Sequence, residues 1–283
     1  MSKTWLILDC NYLCHRAKHS TGNLSYNDIP TGVVFGFLKD IETYQKLFAT
    51  NHFIFCWDFG VGIRTENVPT YKANRKDKVY TKEETKLNDA FRIQMKKLRK
   101  EYLKMLGYRN IFYQRGYEAD DMIAAAIRDL PKKDEKIIVS ADHDLYQLLS
   151  KHVHIYQPQK RKMMTKKTFI AEYEIEPYRW PLVKAIAGCT SDNVIGAVGV
   201  GEKGAIAYLT NNLKETSKKF QAIKKFCWDE KSRPNFLINI SLVTLPLKGV
   251  KTFKPKRNKL NRHGWMKVTK ALGIKSLNHS RRD

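Results

Sequence analysis

Short apolar runs that end in aspartate recur along the first half of the chain. Trp5-Leu6-Ile7-Leu8 leads to Asp9, Phe53-Ile54-Phe55-Cys56-Trp57 leads to Asp58, and Ile137-Ile138-Val139-Ser140-Ala141 leads to Asp142 and Asp144. Each run has the length of a buried strand, and between the runs the apolar spacing turns helical. The spacing predicts strands over 5–9, 52–58, 108–114 and 136–140, with helices near 32–48, 84–106 and 118–130 and a short one near 143–150. Such alternation implies an α/β fold, a mostly parallel central sheet flanked by helices. In open sheets of this kind the functional crevice lies at the carboxyl ends of the strands. Asp9, Asp58, Asp142 and Asp144 are therefore expected to meet. Gly116-Tyr117-Glu118-Ala119-Asp120-Asp121 opens an apolar helix. Glu118 and Asp121 share a helical face there. Asp120 points elsewhere but stands in the first turn, within reach of the cluster.

These acids gather in a chain that has few of them: 52 Lys and Arg stand against 28 Asp and Glu, a formal charge of +24. Crowding carboxylates costs Coulomb energy unless a cation offsets it. Hard oxygen ligands select Mg²⁺ or Mn²⁺. Two such ions, about 4 Å apart, can activate water and stabilise the leaving oxygen of a phosphodiester. For any one acid, a helix cap is the ordinary alternative, but the common placement after strands argues against that for the set. A pI near 9.8 points to a polyanion, nucleic acid or an anionic membrane, as partner.

With 283 residues the chain can hold one large domain or two smaller ones. No apolar run has the length of a transmembrane helix, and the N-terminus does not read as a signal peptide. The five cysteines are odd in number and lack a CxxC pair. This predicts free thiols in a reducing compartment. There is no GxxxxGK[ST] loop, no GxSxG and no HExxH, which disfavours NTPase, serine-hydrolase and zinc-protease chemistry. His143, between Asp142 and Asp144, reads as a packing or solvent-facing histidine.

Residues 60–84 carry Arg64, Lys72, Arg75, Lys76, Lys78 and Lys82 with little apolar periodicity, as expected of an exposed basic insertion. If the segment around Lys72 is helical, Lys72 and Arg75 share a face and can clamp a phosphate. Tyr71 offers a surface on which an unpaired base could stack. Gly196-Ala197-Val198-Gly199-Val200-Gly201-Glu202-Lys203-Gly204 reads as a tight hairpin with a helix starting near Glu202. Its backbone N–H groups suit a phosphate. Beyond Leu247 basic residues face a single acid, Asp283, and the segment reads as a basic tail with one short helix at Trp265–Leu272.

Taken together, Leu8-Asp9-Cys10-Asn11, Trp57-Asp58, Tyr71-Lys72-Ala73-Asn74-Arg75, Glu118-Ala119-Asp120-Asp121, Ser140-Ala141-Asp142-His143-Asp144, Ser191-Asp192-Asn193 and Gly199-Val200-Gly201-Glu202-Lys203 resemble, in order and spacing, the 5′ nuclease family of flap endonucleases and 5′–3′ exonucleases. The wording is that of the bacterial and bacteriophage branch. The resemblance implies a metal-dependent phosphodiesterase of DNA replication, with a nuclease core over 1–180 and a helical arch at about 60–105. It further implies a helix–hairpin–helix duplex-binding unit over 181–247, followed by the basic tail 248–283. Asp9, Asp58, Glu118, Asp120, Asp121, Asp142, Asp144 and Asp192 match the family's metal-binding acids. Lys72 and Arg75 match arch positions that contact the scissile phosphate. Tyr71, Gly199, Gly201 and Lys203 fall on nucleic-acid-binding elements, and K⁺ is the expected monovalent cation at the hairpin. The implied substrate is duplex DNA with a 5′ flap, nick or 5′ end, with RNA/DNA hybrids alongside. The sequence carries no dimerisation signal, so a monomer is the default expectation, and the expected compartment is the cytoplasm, that of a bacterial host if the chain is viral.

One position departs from the family pattern Gly-Asp-x-x-Asp-Asn. The chain reads Gly188-Cys189-Thr190-Ser191-Asp192-Asn193, with a thiol in place of a carboxylate. Thiols are soft and poor Mg²⁺ ligands, which predicts a weakened second metal site. Two other readings share some of these features, a catalytically impaired DNA-junction binder and a ribonuclease for structured RNA. The arch segment and the glycine hairpin argue against the second.

Overall fold

A computed structural model describes residues 2–75 and 79–277. Six strands form one sheet: β1 (Thr4–Asp9), β2 (His52–Cys56), β3 (Ile111–Phe112), β4 (Glu135–Val139), β5 (Val153–Gln157) and β6 (Lys162–Met164), in the order β3-β2-β1-β4-β5-β6. All pairings are parallel except that of β6 with β5. Side chains alternate across a strand. Trp5 and Ile7 therefore enter one core with Ile54 and Ile138, while Leu6 and Leu8 enter the other with Phe53, Phe55 and Val139. Both faces are covered, which is why the strands read as continuous apolar runs rather than as alternations.

The first face is covered by α4 (Ala119–Asp129), α5 (Trp180–Ala187), α6 (Glu202–Leu209) and α7 (Lys218–Trp228). α4 buries Met122 and Ile123 completely, each worth about 1.5–3 kcal/mol. The second face is covered by α1 (Cys10–Thr21), α2 (Gly32–Leu47), α3 (Lys82–Lys97) and the C-terminal α9 (Arg262–Ala271). α8 (Arg233–Val243) packs on α5 and closes a small third cluster around Tyr71.

Several expectations change. The strand expected over 108–114 is only two residues long, and Asn110 and Gln114 on either side of it turn their side chains to the C-terminal segment. The helix expected over 84–106 runs from Lys82 to Met105 through a π turn at Leu98–Tyr102. Such turns favour functional sites, and this one carries Arg99. The basic insertion is not uniformly exposed. It forms a helix at Ile63–Asn67 and a 3₁₀ turn at Ala73–Arg75, and Arg64 and Tyr71 are buried; Lys76 and Lys78 lie outside the described residues. In the 181–247 unit Val183, Val200 and Ile223 belong to the same buried cluster as Ile7 and Ile54, while Ala185, Val194, Leu242 and Val243 form the third cluster with Tyr71. The basic tail is likewise integrated, through Phe253, Trp265, Val268, Leu272 and Leu277. All five cysteines are free.

Candidate active site

The parallel ladder brings three strand ends to one edge. Asp9 closes β1 opposite Cys56, and Leu8 stands opposite Val139. Asp58 and Asp142 follow within three residues of those ends, and the first turn of α4 points into the same place. A cavity of about 480 Å³ opens there, lined by Asp9, Asp58, Glu118, Asp120, Asp142, Asp144 and Asp192, with Tyr71, Lys72, Arg75, Lys184 and Cys189. Of the eight candidate metal-binding acids, seven share this cavity.

Asp121 is the exception. It is fully buried, and its carboxylate is already filled: Arg64 Nη1 and Nη2 donate to it at 2.5 and 2.8 Å, and the N–H groups of Glu118 and Leu247 at 3.2 and 2.7 Å. Glu118 and Asp121 do share a face, but they use it to cap α4. Asp121 is thus a structural ion pair rather than a metal ligand, and Asp120 takes its place in the cavity. Tyr71 also departs from expectation. It is 5% exposed, its hydroxyl meets Glu118 at 3.3 Å, and the Lys72 ammonium lies 4.7 Å from its ring centre. Its face is not free for a base.

The seven acids fall into two groups. In the first, Asp9, Asp58, Asp120 and Asp142 form no ion pair among the described residues. Burial, opposed by the Tyr12 N–H and reinforced by the charges of Asp58 and Asp142, pushes the Asp9 carboxyl up to about 7. Burial and the charges of Asp142, Asp9 and Glu118 hold Asp120 far above the usual carboxylate range. Asp58 and Asp142 shift upward with burial as the first cause, and the surface they expose lines the cavity. Their positions are set by neighbours. Tyr12 N and Ser140 Oγ donate to Asp9 at 3.0 and 2.8 Å. Asn11 and Ala119 N hold the Asp58 carboxylate at 2.8 and 2.6 Å, and Arg99 Nη1 donates to the Asp58 carbonyl at 2.8 Å.

In the second group each acid meets a cation of the chain. Lys72 Nζ lies 2.5 Å from Glu118 and 4.0 Å from Asp192, and Arg75 Nη2 lies 2.6 Å from Asp192. Lys184 Nζ sits 3.2 Å from Asp144 and 3.1 Å from Glu202 on the first turn of α6. Burial lowers the pKa of Lys72 and Lys184, but the acids more than offset it and both end raised. The 63–75 segment is docked rather than free. Asp192 O accepts from Lys72 N at 2.8 Å, and Asn193 Nδ2 donates to Thr70 O at 2.8 Å. Cys189 Sγ stands 3.1 Å from Ser191 Oγ. Gly199, Gly201 and Lys203 do not line the cavity. Gly199 needs its positive φ of 71°, and a side chain at Gly199 or Gly201 would meet open space.

As the side chains lie, no group of three or more His, Cys, Asp or Glu among the described residues is arranged to hold a metal ion. The chemistry of the first group nonetheless fits a hard divalent cation, since its carboxylates repel one another and form no ion pair among the described residues. Arg64, Arg99, Lys184 and Glu202 were not singled out from sequence as site residues. Lys184 did leave a signal, a lone cation inside the apolar helix Leu182–Ala187, which buried lysines occupy only when paired.

Residues 4–174 match the family model described as 5′–3′ exonuclease, N-terminal resolvase-like domain. The chain belongs to the 5′–3′ exonuclease family. It is accordingly a phosphodiester-hydrolysing nuclease. The 5′–3′ exonuclease of Mycoplasmopsis pulmonis is 32% identical over 224 residues, covering 79% of this chain and 71% of the relative. That of Bacillus subtilis is 35% identical over 210 residues, covering 71% and 67%. Among solved structures, the bacteriophage T5 5′-exonuclease with zinc bound aligns with a TM-score of 0.69 at 24% identity, covering 86% of this chain and 90% of that one. The catalytic core of Rad2 in complex with DNA substrate aligns at 0.55 and 12%, covering 96% and 87%. These two show the same α/β fold. No helix among the described residues is long and apolar enough to cross a membrane.

Proposed function

We propose that this nuclease is metal-dependent and structure-specific, cutting duplex DNA at a 5′ flap, nick or 5′ end, and RNA/DNA hybrids such as primers during replication. The observation that carries the reading is the first group of acids: Asp9, Asp58, Asp120 and Asp142 crowd together at the strand ends with no ion pair among the described residues, in the cavity that Lys72 and Arg75 also line. Mg²⁺ or Mn²⁺ bound there supplies a Lewis acid for water and for the scissile phosphate. Asp9, Asp58, Asp120 and Asp142 would hold a first ion, and Asp144 and Asp192 with Glu118 stand nearest a second.

The chain's own residues do the rest. Ser140 and Asn11 fix the carboxylates of Asp9 and Asp58. Lys72 and Arg75 now bridge Glu118 and Asp192; a phosphate entering the cavity competes for the same ammonium and guanidinium, which then stabilise charge where it accumulates. The hairpin of Gly199, Gly201 and Lys203 holds duplex phosphates by backbone N–H groups, with K⁺ as the expected bound cation. Free thiols suit a cytoplasmic setting, and we take the working unit as a monomer.

End-labelled flap, nicked and RNA-primed duplexes, offered in one panel with Mg²⁺, Mn²⁺ or chelator, test this. The flap should be cut with either metal and not with chelator, and Asp142→Asn should bind DNA without cutting it. Cutting that persists in chelator would refute the metal assignment. Binding without cutting by the parent would favour the junction-binder reading.

A further inference from the structure

A groove of about 710 Å³, larger than the acid cavity and sharing no residue with it, runs between α9 and a small β-hairpin, Ser25–Tyr26 with Ile29–Pro30. α9 follows a strap, residues 249–259, that Gln114 and Asn110 fasten to the sheet edge through the backbone of Gly249, Lys251 and Lys256. The helix is held in turn by Trp265, Val268 and Leu272, which enter the second core. The hairpin turns at Asn27 and Asp28, both at positive φ (48° and 60°), as in a tight two-residue loop. Its Tyr26 ring closes on Gly273, whose φ is 65° and where a side chain would collide with that ring. Both walls of the groove are therefore fixed by packing.

The lining joins two kinds of chemistry. Trp265, Ile274 and Leu277 form an apolar base and are nearly buried, while Tyr26 and Met266 stand 43% and 58% exposed beside them. Arg262, Lys267, Lys270 and Lys275 surround these, all exposed and none in an ion pair among the described residues. On α9 the residues Arg262, Met266 and Lys270 fall on one helical face, so that cation, apolar group and cation alternate along the groove. Acids of the chain do not answer them: Asp28 does not line the groove, and Asp283 is the only acid beyond Glu230. A second copy in a two-fold pairing would set this rim against itself. The chain's last six residues, with two arginines and one aspartate, carry the same sign. A nucleic-acid backbone would satisfy the cations but leave Met266, Ile274 and Leu277 against a charged, hydrated strand. An acidic peptide with one or two large apolar side chains satisfies both, its carboxylates at the rim and its apolar groups at the base.

We propose that the groove between α9 and the small hairpin binds an acidic peptide segment of a partner protein, anchored by an aliphatic or aromatic side chain. An exposed apolar surface rimmed by polar groups is the ordinary mark of such a contact. Since no residue is shared with the acid cavity, a docked partner leaves the cavity open to substrate, and the contact recruits the enzyme without blocking it.

Fluorescence anisotropy tests this with the full chain and short labelled peptides of Asp and Glu that carry one Leu and one Phe at varied spacing. The parent should bind at least one of them, and the same peptide with Ser for Leu and Phe should bind about tenfold more weakly. Lys267→Gln with Lys270→Gln should weaken binding about tenfold, and Met266→Ser about fivefold. The pair Lys251→Gln, Lys254→Gln on the strap removes the same charge and should change binding less than about twofold. Circular dichroism verifies the fold of each variant. Failure of every peptide to bind the parent overturns the proposal. So do equal binding of the apolar and serine peptides and equal loss in the strap pair, since net charge alone would then explain the contact. Labelled oligo(dT) and a flap duplex complete the panel: a loss of their binding in the Lys267, Lys270 pair as large as that of the peptide would make the groove a nucleic-acid surface instead. Cleavage of the flap plays no part in these readouts, so the nuclease reading stands or falls separately.

Discussion

The two groups of acids differ in what the chain has placed beside them. Asp144, Asp192 and Glu118 each face a lysine or arginine within 3.2 Å, and Asp121 is enclosed by Arg64. Asp9, Asp58, Asp120 and Asp142 face one another, and burial first, then the neighbouring carboxylates, raises their pKa values. The difference teaches where a cation is required: a balanced group stabilises the fold by itself, whereas an unbalanced one costs stability until something positive arrives. The largest expected effect breaks the comparison at the unbalanced group. Asp120→Asn should lower cleavage by about a thousandfold, the loss of several kcal/mol of metal-borne stabilisation, with the fold intact. Retained cleavage at saturating Mg²⁺ would show that the repelling acids are not the metal site.

At the balanced group the same kind of change should damage the fold instead. Arg64→Met leaves Asp121 buried without its partner, and such losses cost about 3–5 kcal/mol. Urea denaturation should show this, and Asp121→Leu added to Arg64→Met should recover most of it. A single variant as stable as the parent would return Asp121 to the list of candidate ligands.

Legibility in the sequence followed the same division. The unbalanced acids sit at the ends of strands whose apolar runs are local and continuous, so Asp9, Asp58 and Asp142 could be placed by pattern alone. So could the start of α6 at Glu202. The balanced group depends on pairs that no local pattern records. Arg64 meets Asp121 across 57 residues, and Asn110 meets Lys256 across 146. Arg64 reads as one more charge in a basic stretch, and the strap reads as a tail, because what fixes them is distant polar partners rather than periodicity. α1 was missed for another reason: its buried face is Cys10, Leu13, Cys14 and Ala17, helically spaced but mostly small.

The pH dependence sharpens the comparison further. The folded Asp9 carboxyl titrates near 7, and the unfolded one near 3.9. Between those values the folded state holds the extra proton, so stability from this group is present at low pH and falls as pH rises through the window. Asp9→Asn removes that loss while still able to cap α1. In chelator, the variant's Tm should overtake the parent's progressively from pH 5 to pH 8, and Mn²⁺ should reverse the order. A gap independent of pH would place the repulsion elsewhere.

The smallest expected effect lies where the two groups meet. Cys189 stands where the family pattern has a carboxylate, and it faces Ser191 rather than a cation. Cys189→Asp adds a hard ligand beside Asp192, but Asp192 is already engaged by Arg75, and Asp144 by Lys184. An added carboxylate must therefore compete with cations the protein supplies, and the gain in metal affinity is limited to what remains unpaired. The Mg²⁺ concentration for half-maximal cleavage should fall by about threefold, well under 1.4 kcal/mol, and the preference for Mn²⁺ over Mg²⁺ should narrow. Metal titrations that superimpose on the parent's would mean that Lys184 and Arg75, not the thiol, set the strength of the second site. The next substitution to make would then be Lys184→Gln in the Cys189→Asp background.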